Sequence, residues 1–79
     1  MSPTVLRVGG YRFFCFSREE SRPHIHVQHT MGQAKFWLEP HVTLAQNYGL
    51  GHRQVATAFR LVKEYEDEIR AAWQEHFGR

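Results

Sequence analysis

The chain has 79 residues, a formal net charge of +2 and a single cysteine, Cys15. Hydrophobic residues make up 42% of it, which excludes a disordered chain and predicts one domain over residues 1–79 with a thin core. The lone cysteine excludes an intrachain disulfide and a cysteine-rich zinc site. No apolar stretch approaches the roughly 20 residues of a membrane span and no signal peptide is visible, so we expect a cytoplasmic protein.

The N-terminal residues predict a β-hairpin. Strand-like segments at 4–8 and 11–16 flank Gly9-Gly10, which is a two-residue turn signal. Pairing across this turn places Arg7 opposite Arg12 on one face of the sheet. Like charges so placed repel each other, so we expect an anion, an acidic side chain or solvent beside them. Both arginines are therefore candidate binding residues.

Two further strands are predicted at 24–28 and 34–39, because apolar and polar residues alternate in both segments. The two apolar faces must meet the same core, and pairing Ile25 with Phe36 achieves this. A slip of one residue would bury the polar set and expose the apolar one. The same register leaves a four-residue loop at 29–32.

The C-terminal half predicts a short fifth strand at 42–45 and one long helix at 52–77. Apolar residues recur in the helix near a period of 3.6, at Val55, Phe59, Val62, Ile69, Trp73 and Phe77. Such a helix would be roughly 39 Å long, so we expect its last turns to project and meet a partner. The predicted class is α+β, a small antiparallel sheet of four to five strands packed against this helix.

The predicted register brings His24 and His26 to one face, since residues two apart on a strand point the same way. One interpretation is acid–base catalysis on RNA without a metal, with Lys35 stabilising the phosphate. A second is a metal site that His29 or Glu39 completes. The third is a solvated polar face on which the imidazoles pack against Trp37.

Several other residues are candidates for binding. Trp37 would lie opposite His24. It would either contact a nucleic-acid base or a protein, or be a core residue covered by a helix or a second subunit. Glu39 lies at the end of the same predicted strand. Arg53 shares a helix face with Arg60 and would bind phosphate there or remain an ordinary surface residue. Trp73 belongs to the part of the helix expected to meet a protein.

Three segments of the chain resemble one family of small bacterial proteins. They are residues 3–14 (PTVLRVGGYRFF), 23–27 (PHIHV) and 34–40 (AKFWLEP). Together they are similar to the domain of unknown function 4160 family, and the similarity continues through the terminal helix. The chain departs at Arg22, where the family often has a second proline, and no candidate catalytic group is affected.

This resemblance implies a genetic context and no established activity. Members are commonly stand-alone proteins beside a second small family of unknown function, numbered 2442, and such pairs are suspected toxin–antitoxin modules. We therefore expect a component of such a two-gene module, which binds its cognate small protein and acts on RNA through His24 and His26. The alternatives are a non-catalytic interaction module and a small metal-binding protein. No cofactor is expected unless the histidines bind a divalent metal, and a homodimer is a further expectation.

Overall fold

The computed structural model describes residues 4–15 and 22–77. The strands are β1 (Thr4–Val8), β2 (Tyr11–Phe14), β3 (His24–His29), β4 (Gly32–Trp37) and β5 (Thr43–Tyr48). They are followed by the helices α1 (His52–Glu64) and α2 (Glu66–Phe77). The strands form one antiparallel sheet in the order β1-β2-β3-β4-β5, which confirms the predicted α+β class and makes β1 and β5 the edges.

The register of β3 and β4 is the predicted one, with Ile25 opposite Phe36. The four-residue loop is wrong, however, because His29 pairs with Gly32 and the turn contains only Thr30 and Met31. This shorter turn lets β4 begin two residues earlier than expected.

Other predicted strand ends also differ, and β3 ends at His29 instead of residue 28. β4 ends at Trp37 instead of residue 39, and Leu38 then donates its backbone N–H to the carbonyl of Pro23 at 2.9 Å. β5 covers 43–48 instead of 42–45. β2 ends at Phe14, and residue 16, the predicted end, lies outside the described residues.

The hydrophobic core lies between one face of the sheet and the two helices. Its fully buried side chains include Phe13, Ile25, Val27, Phe36, Leu38, Val62 and Ile69. The three central strands β2, β3 and β4 contribute alternate residues to it, and α1 contacts β5 while α2 contacts β3. No helix in the described part of the chain is long and apolar enough to cross a membrane.

The predicted single helix is divided at Tyr65, whose backbone angles are φ −105° and ψ 24°. Backbone hydrogen bonds continue across this residue, from Tyr65 N–H to Leu61 and from Ile69 N–H to Tyr65. Beyond this interruption, Ile69 and Trp73 of α2 bury their side chains in the core. The expectation that the last turns project is therefore wrong for Trp73, while a partner for the exposed residues 74–76 stays a prediction.

Arg70 fixes α2 to the end of β4. Its guanidinium contacts the Glu66 carboxylate at 2.8 Å and the Glu39 carboxylate at 2.7 Å, and it also donates to the Leu38 carbonyl. The hydrogen bond to Glu66 is the main cause that raises the pKa of Arg70 above its ordinary value. Arg22 donates two hydrogen bonds, of 2.9 and 3.2 Å, to the Glu39 carbonyl. The candidate binding residue Glu39 therefore contacts two arginines, Arg70 through its carboxylate and Arg22 through its backbone carbonyl.

Candidate functional site

The face of the sheet turned away from the helices carries the predicted polar group. His26 lies opposite Lys35, and His24 lies opposite Trp37. The alternation of β3 and β4 therefore brings the four residues together as predicted.

Three of these side chains are nevertheless buried. The exposed fraction is 0% for His24, 6% for His26 and 8% for Lys35, while Trp37 is half-buried. The interpretation as a solvated polar face is therefore wrong for the histidines and the lysine. Burial of polar groups is costly unless they find partners, so their local contacts decide what they can do.

The two histidines belong to a continuous row of rings across β2, β3 and β4, which we call the aromatic row. Phe14 stacks on His26 with centroids 5.3 Å apart and an angle of 22°. His26 meets His24 edge-on at 5.2 Å, and His24 meets Trp37 edge-on at 6.1 Å. Such aromatic contacts add to the stability gained from burial alone.

Cations cover both ends of the aromatic row. The Arg12 guanidinium lies 4.5 Å from the centroid of the Phe14 ring. At the other end, the Arg22 guanidinium and the Lys35 ammonium lie 4.1 and 4.7 Å from the centroid of the Trp37 indole. Contacts of this kind are worth about 0.5–2 kcal/mol each. The indole is therefore already used as a cation-binding surface inside the protein.

One contact determines the tautomer of His24. Its Nδ1 lies 2.7 Å from the backbone carbonyl oxygen of Arg22. A carbonyl can only accept a hydrogen bond, so Nδ1 carries the proton and the lone pair of the neutral ring is on Nε2. A histidine held in one tautomer suits a general base, but at 0% exposure a substrate would reach it only after a rearrangement.

The proposed third metal ligand does not join the pair. His29 lies on the opposite face of the sheet, where its ring centroid is 4.5 Å from that of Tyr11. Among residues 4–15 and 22–77, no group of three or more His, Cys, Asp or Glu side chains is placed to hold a metal ion.

Arg7 and Arg12 lie opposite each other as predicted. Arg12 donates hydrogen bonds to the Thr4 hydroxyl at 2.8 Å and to the Gln28 side-chain oxygen at 3.2 Å. These acceptors hold its guanidinium in place beside the exposed Arg7.

The two helical candidates differ in exposure. Arg53 is exposed on the first turn of α1, as a binding residue requires. Trp73 is buried in the core, so it stabilises the fold and does not present a contact surface.

Comparison with known proteins identifies a family for this arrangement. A family model described as a domain of unknown function (DUF4160) matches residues 10–74, which includes the aromatic row and both helices up to Gln74. The chain belongs to the DUF4160 family. No curated protein and no solved structure matches it. Family membership therefore brings no activity with it, and function has to be argued from the geometry.

This DUF4160 chain also has an apolar groove between β5 and α1, which the sequence did not predict. The groove encloses about 870 Å³, and the residues that define it here are Phe36, Val42, Leu44, Leu50, Val55 and Phe59. Leu44 is 44% exposed and Phe59 is 40% exposed. The sequence places Phe59 in the apolar helical stripe but carries no signal that this residue stays exposed.

Proposed function

We propose that this chain is the protein-binding component of a bacterial toxin–antitoxin-like two-gene module. Its partner, the small protein encoded by the neighbouring gene, binds in the β5–α1 groove. The observation that carries this proposal is the exposure of Leu44 and Phe59 in one apolar groove. Contiguous apolar surface of this kind marks interaction sites, because its burial against a partner is favourable.

The burial of the histidine pair supports the same proposal. His24 and His26 are enclosed in the aromatic row, and the Nδ1 of His24 is bonded to the backbone. These contacts have the character of a structural network, which stabilises strands β2, β3 and β4. They match the alternative in which the histidines contribute to packing and the chain is an interaction module.

The test is the affinity between this chain and the purified product of the neighbouring gene, measured by isothermal titration calorimetry. Phe59→Ser is expected to weaken binding at least tenfold, since a large aromatic side chain in a groove is a typical binding hot spot. Met31→Ser is the matched control, because Met31 is 61% exposed and lies in the β3–β4 turn outside the groove. Thermal melts of both variants establish that they remain folded.

Two results would contradict the proposal. One is the absence of any complex between the two gene products. The other is an affinity of the folded Phe59→Ser variant equal to that of Met31→Ser, because the groove would then contribute nothing to binding.

A second candidate function is RNA cleavage on the polar face of the sheet. It is favoured by the fixed tautomer of His24 and its proximity to His26 and Lys35. Within the five strands, three residues are basic and none is acidic, which suits a polyanion. His24 would take the proton of a ribose 2′-hydroxyl as its oxygen attacks the adjacent phosphorus. His26 would protonate the departing 5′-oxygen, leaving a 2′,3′-cyclic phosphate.

The assay for this second function uses a short RNA in the presence of a chelator, with analysis of the product ends. Cleavage to cyclic phosphate that is lost in the folded His24→Asn and His26→Gln variants supports it. Cleavage that survives in the double variant His24→Ala/His26→Ala excludes the pair as its acid and base.

A further inference from the structure

The edge of the sheet beside the groove has an unusual composition. β5 reads TLAQNY and contains no charged residue and no proline. Natural proteins usually protect edge strands with charges, prolines or a covering segment, because an unprotected edge pairs with another chain. The only protective feature within β5 is a bulge, which shifts its register against β4.

The hydrogen-bond alternation determines which backbone groups of β5 face outward. Leu38 donates to the Pro23 carbonyl, so these two form a hydrogen-bonded pair of the β3–β4 ladder. Two residues earlier, Phe36 also bonds towards β3, and its neighbour on the other side is Leu44. The backbone N–H and C=O of Leu44 therefore point away from the sheet.

The same alternation applies on the other side of the bulge. Ala34 bonds towards β3 and faces Asn47, so the backbone of Asn47 points outward as well. The Asn47 side chain is used elsewhere, since it accepts from Leu50 N–H at 3.0 Å and donates to the Leu50 carbonyl at 2.9 Å. The edge thus offers two backbone donor–acceptor pairs directly beside the groove.

The helix on the other side of the groove is positively charged. α1 contains three basic residues, Arg53, Arg60 and Lys63, and one acidic residue, Glu64, whose exposed carboxylate lies 3.5 Å from the Arg60 guanidinium. Lys63 lies four residues after the groove residue Phe59 and continues its stripe, while Arg60 lies four residues after Ala56 on the rim. Carboxylates on a segment that fills the groove would be attracted to these cations, which would strengthen its binding.

We infer that the partner adds an extended, acidic segment as a sixth strand along β5. Alternate side chains of this segment are apolar and enter the groove beside Leu44 and Phe59, and its carboxylates pair with Arg60 and Lys63. Strand addition takes its affinity from main-chain hydrogen bonds and its specificity from pockets for alternate side chains. A second copy of this chain fits less well, because pairing β5 with β5 would bring the same basic helix to both sides of the seam. The inference rests on the proposed function and names the binding mode.

The test is amide hydrogen exchange, measured by NMR on the free chain and on its complex with the neighbouring gene product. The amides of Leu44 and Asn47 are expected to exchange at least tenfold more slowly in the complex. The amide of Gln46, which pairs inward with Lys35, is expected to change much less.

Charge reversal tests the acidic character of the segment. Lys63→Glu is expected to weaken binding and to reduce its dependence on salt concentration. Met31→Glu is the control, since it adds a negative charge at an exposed position in the β3–β4 turn, outside the groove.

The outcomes separate the inference from the proposed function. A complex in which the Leu44 and Asn47 amides remain unprotected overturns the sixth strand but leaves the partner and the groove. The absence of a complex overturns both. Protection of the same amides in the chain alone, with sedimentation as a dimer, shows that a second copy occupies the edge and also overturns the inference.

Discussion

Removal of the His24 side chain tests whether the aromatic row is structural. The imidazole is fully buried and touches the rings of His26 and Trp37. Large-to-small changes at buried positions cost about 2–5 kcal/mol, and we take about 2 because imidazole is smaller than a benzene ring. The Arg22 carbonyl would also lose its 2.7 Å hydrogen bond. That loss adds about 1 kcal/mol.

His24→Ala should therefore lower the free energy of unfolding by about 3 kcal/mol. A domain of this size loses roughly 4–8 °C of melting temperature for each kcal/mol, so the melting temperature should fall by about 12–24 °C. His24→Asn should recover about 1 kcal/mol, because its amide nitrogen occupies the place of Nδ1 and can donate to the same carbonyl.

The assay is urea denaturation followed by circular dichroism, with His41→Ala as the control. His41 is exposed, so its loss should change stability by less than about 0.5 kcal/mol. If His24→Ala were as stable as His41→Ala, the structural reasoning would be refuted. The histidine would then carry no packing role that competes with catalysis.

Three further predictions concern the core and the α2 attachment. Trp73→Ala should lower the free energy of unfolding by about 3–5 kcal/mol in urea denaturation. A decrease below about 1 kcal/mol would contradict the burial of Trp73 in the core. Arg70→Met should cost about 2 kcal/mol in thermal melts because it removes bonds to two carboxylates and a carbonyl, whereas Arg60→Met should be nearly neutral, as its pair with Glu64 is exposed. Burial raises the pKa of Cys15 to about 11, above its ordinary value of 9.0. The unfolded thiol therefore ionises first, and stability should fall between those two pH values by up to about 1.4 kcal/mol per pH unit. Cys15→Ala should remove this contribution, and an unchanged pH profile would contradict the assignment.

The register of the central hairpin was predictable because its physical constraint is local. Ile25 and Phe36 can share a core only in one alignment, and that alignment also fixes His24 opposite Trp37. The turn was not predictable in the same way. The sequence predicts Gly32 as a loop residue, yet it lies in β4, where a Cβ atom would collide with the Tyr48 carbonyl oxygen. Its glycine is required by the approach of β5, a contact distant in sequence.

The bend at Tyr65 and the burial of the polar face depend on tertiary structure. No glycine or proline marks the bend, and the apolar stripe continues through it to Ile69. Alternation assigns His24 and Lys35 to one face, but it carries no information on how much solvent reaches that face. The groove is unpredictable for a related reason, since Phe59 belongs to the apolar stripe and its ring lies near that of Phe36, yet it stays 40% exposed.

The two candidate functions differ in what they require of the fold. RNA contact at His24 needs a fully buried ring to become accessible, with loss of its aromatic contacts with His26 and Trp37. Binding in the groove breaks no described contact of Leu44 and removes its exposed surface from water. A nuclease would therefore need a conformational change, and the free energy of substrate binding would have to offset the free-energy cost of that change. Protein binding can proceed from the structure as it stands, and this difference favours the interaction module.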